Sequence, residues 1–355
     1  MSNGERNEQE PGRRVKLTCA VDLESREVQW LWPGRVPLGM ITLFAGDPKL
    51  GKSLVTLDMA AAVSRGRPLP MSDLPSQPAS AILMSAEDDP NRTIVPRLEA
   101  AGADLTKVHV LESIILPNGF ETLPSLRADA DAITAAAVRL GDCRLIVIDP
   151  VSSYLKGIDD NRNAALRGVL TPLKTLAERL DAAVVLVSHL TKRGSANGKH
   201  RVMGSVAYVG ACRANHLFIA DPADPTGRRV LMLDNGGNVA APARTLAYLI
   251  EDRGGGPQVV WCAEPMAMTV GEALGPSHGS ARIAVVEARR CRQWLSDFLL
   301  DGPKLSSEVF KTAAVSGYSR DQVKAAKQSI GAVAQKRGFR EGSQWTWQLP
   351  TGAGH

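Results

Sequence analysis

Apolar runs alternate with amphipathic stretches over the larger, N-terminal part of the chain. Four runs are almost wholly apolar and have the length of strands, at residues 40–45, 81–85, 144–149 and 183–188. Strands of this kind are typically buried on both faces of a sheet. Stretches with helical periodicity lie beside them, at residues 54–64, 91–101, 126–140 and 163–180. This alternation predicts an α/β fold with a mostly parallel sheet and right-handed crossovers.

The pattern is less regular towards the C-terminus. Residues 214–220 and 229–233 flank an Asp/Pro/Gly turn and predict a hairpin, and residues 258–262 predict another strand. Three helices and two strands then follow, at residues 282–299, 306–314, 319–330, 333–339 and 344–349. That order is typical of a winged helix-turn-helix domain. The predicted organisation is a tail at 1–25, a large α/β domain at 26–265, a linker at 266–280, a small domain at 281–350 and a tail at 351–355.

Composition restricts the class of protein. Hydrophobic residues make up 44% of the 355 positions, which is enough for a sizeable buried core. The net charge of +5 is compatible with an acidic partner such as nucleic acid. The scattered cysteines form no C-x-x-C pair, which argues against a zinc site or a disulfide framework and fits a cytoplasmic location. Because no apolar signal region and no run of membrane-spanning length is present, we expect no membrane partner.

The strongest chemical signal lies between the first strand and the first helix. The pattern G-x-x-x-x-G-K-[ST] is matched by Gly46, Asp47, Pro48, Lys49, Leu50, Gly51, Lys52 and Ser53, and Leu54 follows it. Glycines let backbone N–H groups approach phosphate oxygens, and the N-terminus of the helix adds its positive dipole end. We expect Lys52 to contact the β- and γ-phosphates and Ser53 to hold Mg²⁺. The motif therefore predicts a site for ATP with Mg²⁺.

Candidate catalytic carboxylates follow two other strands, since ligands of parallel sheets bind beyond the carboxyl ends of the strands. Asp149 closes the most apolar strand and is the candidate for holding hydrated Mg²⁺. Its neighbour Pro150 cannot serve as a base, so another carboxylate must activate the attacking water. Glu87, just past the second strand, is the preferred candidate, and Asp88 and Asp89 compete with it.

A histidine and a basic stretch follow the strand at 183–188. His189 is either a donor to the γ-phosphate or a side chain packed at the end of the strand. The Gly/Ser-rich stretch after it includes Lys192, Arg193 and Arg201. These cations predict a contact with nucleic-acid phosphates or with a neighbouring subunit, and the alternative is a solvated surface loop.

Together these motifs resemble RepA-type ATPases, which are AAA-family P-loop proteins of the RecA/DnaB superfamily found in plasmids, phages and mobile elements. The resemblance covers about residues 28–250 and rests on residues 46–53, 85–89, 145–150 and 188–189. It implies a RecA-like fold, Glu87 as the catalytic base and His189 as the γ-phosphate sensor. It also implies homo-oligomeric rings, often hexamers, with ATP between the subunits.

In such rings a neighbouring subunit supplies a cationic finger to each ATP site. Family members often carry a Lys on the late hairpin strand where this chain has Asp234. The resemblance leaves Arg213, Arg228 and Arg229 as substitutes for that finger, or else a slow ATPase.

The C-terminal domain carries its own basic residues. Lys324 and Lys327 lie on the predicted recognition helix, and Lys336 and Arg337 lie on the predicted wing. Such helices enter the major groove of DNA, although a winged helix also serves for protein contacts alone.

The leading hypothesis is an ATP-hydrolysing motor or loader that acts on DNA, including single-stranded DNA, and resembles a replicative helicase. The alternative is a regulatory nucleotide switch that recruits a protein partner. A small-molecule kinase ranks last because no lid-like segment with paired arginines is present.

Overall fold

The structure is a computed structural model that describes residues 17–72, 76–155, 163–189, 206–274, 276–337 and 344–349. The first domain contains, in chain order, β1 (Trp30–Trp32), β2 (Val36–Pro37), β3 (Ile41–Gly46), α1 (Lys52–Arg65), β4 (Ser80–Ser85), α2 (Val95–Ala100), β5 (Val108–Val110), β6 (Ile114–Ile115), β7 (Glu121–Thr122), α3 (Ala130–Leu140), β8 (Cys143–Asp149), α4 (Asn163–Leu180), β9 (Ala183–His189), α5 (Val206–Ala211), β10 (Ala214–Ala220), β11 (Val230–Gly237), β12 (Leu246–Asp252), β13 (Pro257–Trp261) and α6 (Val270–Ala273). The C-terminal module contains α7 (Pro276–Leu300), β14 (Lys304–Leu305), α8 (Ser306–Val315), α9 (Arg320–Ser329), β15 (Val333–Arg337) and β16 (Gln344–Gln348). Within these ranges no helix is both long enough and apolar enough to cross a membrane.

A nine-stranded sheet, in the order β5-β4-β8-β9-β3-β10-β11-β12-β13, forms the centre of the first domain. Neighbouring strands from β5 to β10 are parallel, and β11, β12 and β13 continue the sheet in antiparallel fashion. The predicted α/β fold with a mostly parallel sheet is confirmed. The apolar pattern does not predict β5 or β12, because β5 has only three residues and β12 ends in two acidic ones.

The register brings the carboxyl ends of four parallel strands to one level. Gly46 at the end of β3 pairs with His189 of β9, and Ser85 at the end of β4 pairs with Asp149 of β8. Strand β9 lies between β3 and β8, so it separates the phosphate-loop strand from the Asp149 strand. We call this side of the sheet, marked by these four residues, the carboxyl edge.

Helices cover both faces of the sheet because both faces of its strands are apolar. Val55 of α1 and Leu98 of α2 belong to the buried cluster on one face. Ile133 of α3 and Leu173 of α4 belong to the buried cluster on the other face. With its strands buried on both sides, the sheet is a rigid base for the loops at the carboxyl edge.

Residues 266–274, which the sequence assigns to the linker, pack against the antiparallel part of the sheet. Met266 forms a bridge with Thr245, and Ala273 is fully buried in a cluster with β10 and β11. Thr269 and Glu272 form a capping box that starts α6. The segment extends the core of the first domain because its apolar side chains cover one face of β10 and β11.

The C-terminal module combines α7, α8 and α9 with a three-stranded antiparallel sheet in the order β14-β16-β15. Its buried core includes Leu295, Val309, Val323 and Trp347. The sequence predicts only two of the three strands, because β14 has two residues and therefore no periodicity. Among the described residues, Arg292 Nη2 of the module donates to the carbonyl oxygen of Thr226 in the first domain at 3.4 Å.

Candidate nucleotide-binding site

The predicted phosphate loop joins β3 to α1 at the carboxyl edge. Gly46 ends β3, and Gly51, with φ of +78°, directly precedes the first residue of α1. A Cβ at Gly46 would lie 2.5 Å from the carbonyl oxygen of Phe218, and one at Gly51 would lie 2.7 Å from Ile250 Cδ1. Gly46 therefore needs to be glycine because the backbone of β10 approaches it too closely for a side chain, and Gly51 is favoured as glycine by its positive φ.

Tyr248 of β12 supports the loop from the antiparallel side of the sheet. Its buried hydroxyl donates to the carbonyl oxygen of Leu50 at 2.5 Å. Sequence reasoning missed this residue, because the contact spans 198 positions and β12 was not predicted. The only signal in the sequence is a tyrosine within an apolar run, and tyrosine hydroxyls usually find a partner when buried.

Lys52 is only 3% exposed at the start of α1. Its Nζ donates to the carbonyl oxygens of Gly46 at 2.9 Å and Asp47 at 2.8 Å, so the loop folds around the ammonium. Burial lowers the pKa of Lys52 to about 8, although the nearby carboxylates of Asp149, Asp47 and Glu87 oppose that shift. A partly desolvated ammonium at this point is suited to an anion such as a phosphate oxygen.

Ser53 and Asp149 meet beside Lys52. The Ser53 hydroxyl donates to the Asp149 carboxylate, and burial raises the pKa of Asp149 to about 6 despite this hydrogen bond and the charge of Lys52. A hydroxyl and a carboxylate in contact offer the oxygen ligands that Mg²⁺ prefers. The pair therefore fits Mg²⁺ that also binds substrate phosphates.

The three acidic residues after β4 have different surroundings. Asp88 forms an ion pair with Arg97 at 3.1 Å. Asp89 caps the helical turn at 90–94, since its Oδ1 accepts from the backbone N–H groups of the two residues after Pro90. The side chain of Glu87 is 66% exposed, and its Oε2 lies 4.0 Å from His189 Nε2. Asp88 and Asp89 thus have structural partners, which favours the prediction that Glu87 is the base.

His189 lies between the loop lysine and the candidate base. Its Nδ1 is 3.3 Å from Lys52 Nζ. Because an ammonium only donates, Nδ1 must be the acceptor, which leaves the proton of the neutral ring on Nε2, the nitrogen nearer Glu87. Burial, and secondly the charge of Lys52, lowers the pKa of His189, so the neutral ring is favoured. The structure therefore brings five predicted residues together: Lys52, Ser53, Glu87, Asp149 and His189.

The predicted finger residues lie in different places. Arg229 Nε donates to the fully buried Asp221 at 2.5 Å, so this guanidinium is held within the turn between β10 and β11. Arg228, in the same turn at the carboxyl edge, has a side chain 63% exposed and lies 3.9 Å from Glu251. Arg213 lies at the opposite edge of the sheet, where its backbone N–H donates to Ile41 at the start of β3. Lys192, Arg193 and Arg201 lie outside the described residues.

Asp234, which stands where family members often carry a lysine, accepts hydrogen bonds from the backbone of a loop. Its two carboxylate oxygens accept from the backbone N–H groups of Gly236 and Ala243, each at 2.8 Å. It pairs across the sheet with His216, four residues before the end of β10. Asp234 therefore fixes a loop and lies away from the carboxyl edge.

The basic residues of the C-terminal module also differ from one another. The Lys324 side chain is 64% exposed, with its Nζ 3.7 Å from Asp321. Lys327 Nζ lies 4.9 Å from the ring centroid of Trp347, which is a cation–π contact within the module. Lys336 and Arg337 belong to β15, where they pair with Trp345 and Gln344, and their side chains lie outside the described part of the structure.

A model of a known family matches part of the chain. It is described as an AAA domain and covers residues 10–195, slightly more than half of the 355 positions. The matched range includes the phosphate loop, Glu87, Asp149 and His189, and it excludes the antiparallel strands and the C-terminal module. No curated protein sequence matches the chain.

Proposed function

Because the chain belongs to the AAA-domain family of P-loop ATPases, we propose that it hydrolyses ATP to act on DNA as a motor or loader resembling a replicative helicase. The observation that carries the proposal is the convergence of Lys52, Ser53, Asp149, Glu87 and His189 at one edge of the sheet. This set supplies a phosphate contact, two oxygen ligands, a base and a neutral donor, which are the parts that hydrolysis of a phosphoanhydride requires.

The proposed chemistry assigns one task to each residue. Lys52 exchanges its two carbonyl acceptors for β- and γ-phosphate oxygens and stabilises the charge that builds on them. Bound Mg²⁺ would neutralise phosphate charge, held by Ser53 and Asp149. Glu87 takes a proton from water as the water oxygen bonds to the γ-phosphorus and the bond to the β-phosphate oxygen breaks. The Nε2–H of His189 donates towards the γ-phosphate or towards Glu87, which links the state of the nucleotide to the base.

A neighbouring copy of the chain completes the proposed site. Arg228 is our candidate for the trans finger, because it is exposed in a turn at the carboxyl edge whereas the Arg229 guanidinium is held by Asp221. The turn itself is well fixed, since Asp224 accepts hydrogen bonds from the backbone N–H groups of Thr226, Arg228 and Arg229. The expected assembly is a homo-oligomeric ring, hexameric by resemblance, with ATP between the subunits.

The C-terminal module is proposed to be a winged helix-turn-helix domain that binds DNA. Its helix order and its sheet order β14-β16-β15 support this interpretation. Of the two lysines that the sequence predicts to contact DNA from α9, Lys324 has an exposed side chain. Lys327 lies over Trp347 and so also stabilises the module. Arg292, which connects the module to Thr226, provides a physical link between DNA binding and the turn that carries Arg228.

The proposal is tested by the rate of ATP hydrolysis without DNA, with single-stranded DNA and with duplex DNA, at several salt concentrations. We expect hydrolysis that DNA stimulates and DNA binding that weakens as salt rises, because phosphate contacts release counterions. Lys52→Ala serves as the background control for contaminating ATPases. Hydrolysis without stimulation, together with no salt-sensitive DNA binding, would remove the DNA part of the proposal and keep the ATPase part.

The alternative is a regulatory nucleotide switch that recruits a protein partner without translocation. It is favoured by Asp234, which stands where family members often carry a lysine, and by the Arg229–Asp221 ion pair, which removes one candidate finger from the carboxyl edge. Very slow hydrolysis with nucleotide-dependent partner binding would support the switch, and rapid steady turnover would exclude it.

A further inference from the structure

A cavity of about 550 Å³ lies on the flank of α1, between that helix, α2 and β13. None of the phosphate-loop residues 46–53 lines it. One part of its wall is apolar, with Leu54, Leu57 and Val259, and another part carries Arg65, Arg67 and Arg97. Its volume lies in the range of small-molecule sites, which is about 300–1,000 Å³.

Positive charge exceeds negative charge in the wall of this cavity. Three arginines face one lining carboxylate, Asp58, which forms a salt bridge with Arg67 at 3.1 Å and accepts from Trp261 Nε1 at 2.9 Å. Arg97 forms its ion pair with Asp88, outside the lining. Arg67 and Arg97 therefore each have a carboxylate partner, and Arg65 is the lining arginine without a salt bridge among the described residues.

Arg65 is the arginine with the weakest protein partners. Its guanidinium contacts the carbonyl oxygens of Gly102 and Ala103, both at 3.4 Å, and forms no salt bridge within the described residues. The pKa of Asp104 is lowered first by hydrogen bonds from Thr106 and to a smaller extent by the charge of Arg65, and the side chains of Asp104 and Arg65 form no salt bridge among the described residues. A guanidinium held by two long bonds keeps donors for a bidentate anion.

We propose that this cavity binds a small phosphomonoester, with its phosphate against Arg65 and Arg67 and its apolar body against Leu57 and Val259. Arginine forks match the oxygens of a phosphate group, and a ring of nucleoside size fits the apolar part of the wall. The same chemistry exists in a free nucleoside monophosphate and in the phosphorylated end of a nucleic acid, and the experiment separates these two sources.

The arginine end of the cavity is distinct from the phosphate loop, whereas Leu54 at the other end directly follows Ser53. Residues 53 and 65 are separated by about 18 Å along the axis of α1, at about 1.5 Å per residue. The triphosphate of a nucleotide held by Lys52 therefore lies far from Arg65. Occupancy of the cavity would be a second binding event, so the proposal stands whether or not the loop hydrolyses ATP.

The experiment is calorimetric titration of the full chain carrying Lys52→Ala, with AMP as the probe. Removing Lys52 suppresses binding at the loop, and a monophosphate offers the loop little to hold. We expect one equivalent of AMP to bind. Adding Arg65→Ala should weaken binding about tenfold or more, which is the effect of losing one charge-assisted hydrogen-bond pair. Arg65→Lys should retain part of the affinity because it keeps the charge and loses the fork.

Arg139→Ala is the matched control, since Arg139 occupies the last turn of α3 as Arg65 occupies the last turn of α1. It should leave AMP binding unchanged. Arg67→Ala is the second variant in case Arg65→Ala perturbs folding, because it leaves the bonds of Arg65 to Gly102 and Ala103 in place. A 5′-phosphorylated oligonucleotide that binds through Arg65 where AMP does not would support the proposal and identify nucleic acid as the source.

Three results would overturn the proposal. The first is that neither AMP nor the phosphorylated oligonucleotide binds the Lys52→Ala chain. The second is that Arg139→Ala weakens binding as much as Arg65→Ala does. The third is that Arg65→Ala, in a chain with Lys52 intact, weakens ATP binding by the same factor as AMP binding, because the cavity would then be part of the ATP site.

Discussion

The carboxyl edge and the C-terminal module both depend on lysines, but they hold them in opposite ways. Lys52 is 3% exposed and donates to two backbone carbonyls, whereas the Lys324 side chain is 64% exposed with an acidic neighbour at 3.7 Å. A buried charge interacts strongly at one fixed geometry, while an exposed charge is screened by salt and acts through the summed potential of its surface. Single substitutions should therefore be severe at the carboxyl edge and mild in the module.

Glu87→Gln gives the largest effect that this comparison predicts. The amide keeps the shape of the side chain and removes the base, so ATP should still bind while hydrolysis slows by about 10²–10⁴-fold. The measurements are nucleotide affinity by titration and single-turnover hydrolysis. Asp88→Asn is the matched control and should change hydrolysis little, because it loses only a partly exposed ion pair with Arg97. Full turnover by Glu87→Gln with loss of turnover by Asp88→Asn would show that the wrong carboxylate was chosen.

Lys52→Ala should come next. Removing the ammonium takes away a preorganised contact to the phosphates and should lower the rate of hydrolysis by about 10²–10³-fold, with weaker ATP binding. Steady-state hydrolysis and ATP titration measure these effects, and thermal unfolding shows whether the loop carbonyls left without a donor destabilise the fold. Unchanged turnover would contradict the assignment of residues 46–53 to phosphate binding and would remove the contrast with Lys324.

The sequence predicts the parts of the site that follow directly from strand ends. Lys52, Asp149 and His189 could be placed together because apolar runs reveal parallel strands, and the carboxyl ends of such strands meet at one edge. Tyr248 and the Asp58–Trp261 bond could not be predicted, since they join residues 198 and 203 positions apart through strands with weak patterns. The partners of Arg229 and Lys327 also depend on tertiary packing, so the sequence shows their charge and not whether that charge is available.

Asp224→Ala tests whether the turn that carries Arg228 is held in a fixed geometry, as the phosphate loop is around Lys52. Burial alone would raise the pKa of Asp224, but hydrogen bonds from the backbone of Arg229, from Thr226 and from the backbone of Arg228 lower it to about 2. The substitution should cost about 2 kcal/mol of unfolding free energy at neutral pH, which corresponds to that shift from the ordinary value. Urea denaturation of both chains measures the difference.

The pH dependence of that difference has a definite sign. The folded-state pKa of Asp224 lies below its ordinary value of 3.8, so its stabilisation is fully present above about pH 4 and is lost as the pH falls through about 2. The difference between wild type and Asp224→Ala should therefore narrow between pH 4 and pH 2. A difference that stays constant over this range would mean that Asp224 does not act through its charge.

Lys324→Ala should give the smallest effect, and it tests the exposed charges of the C-terminal module. If α9 contacts DNA phosphates as proposed, losing one exposed cation should weaken binding to all sequences alike and reduce the slope of log affinity against log salt by about 1. Fluorescence anisotropy with duplex DNA at four salt concentrations measures the slope. Lys174→Ala is a suitable control, because Lys174 lies on α4 of the first domain, is 53% exposed and has a carboxylate partner at 3.4 Å. A loss of affinity confined to one DNA sequence would instead indicate a base contact with a fixed geometry. Lys324 would then act at one fixed geometry, as Lys52 does, despite its exposure.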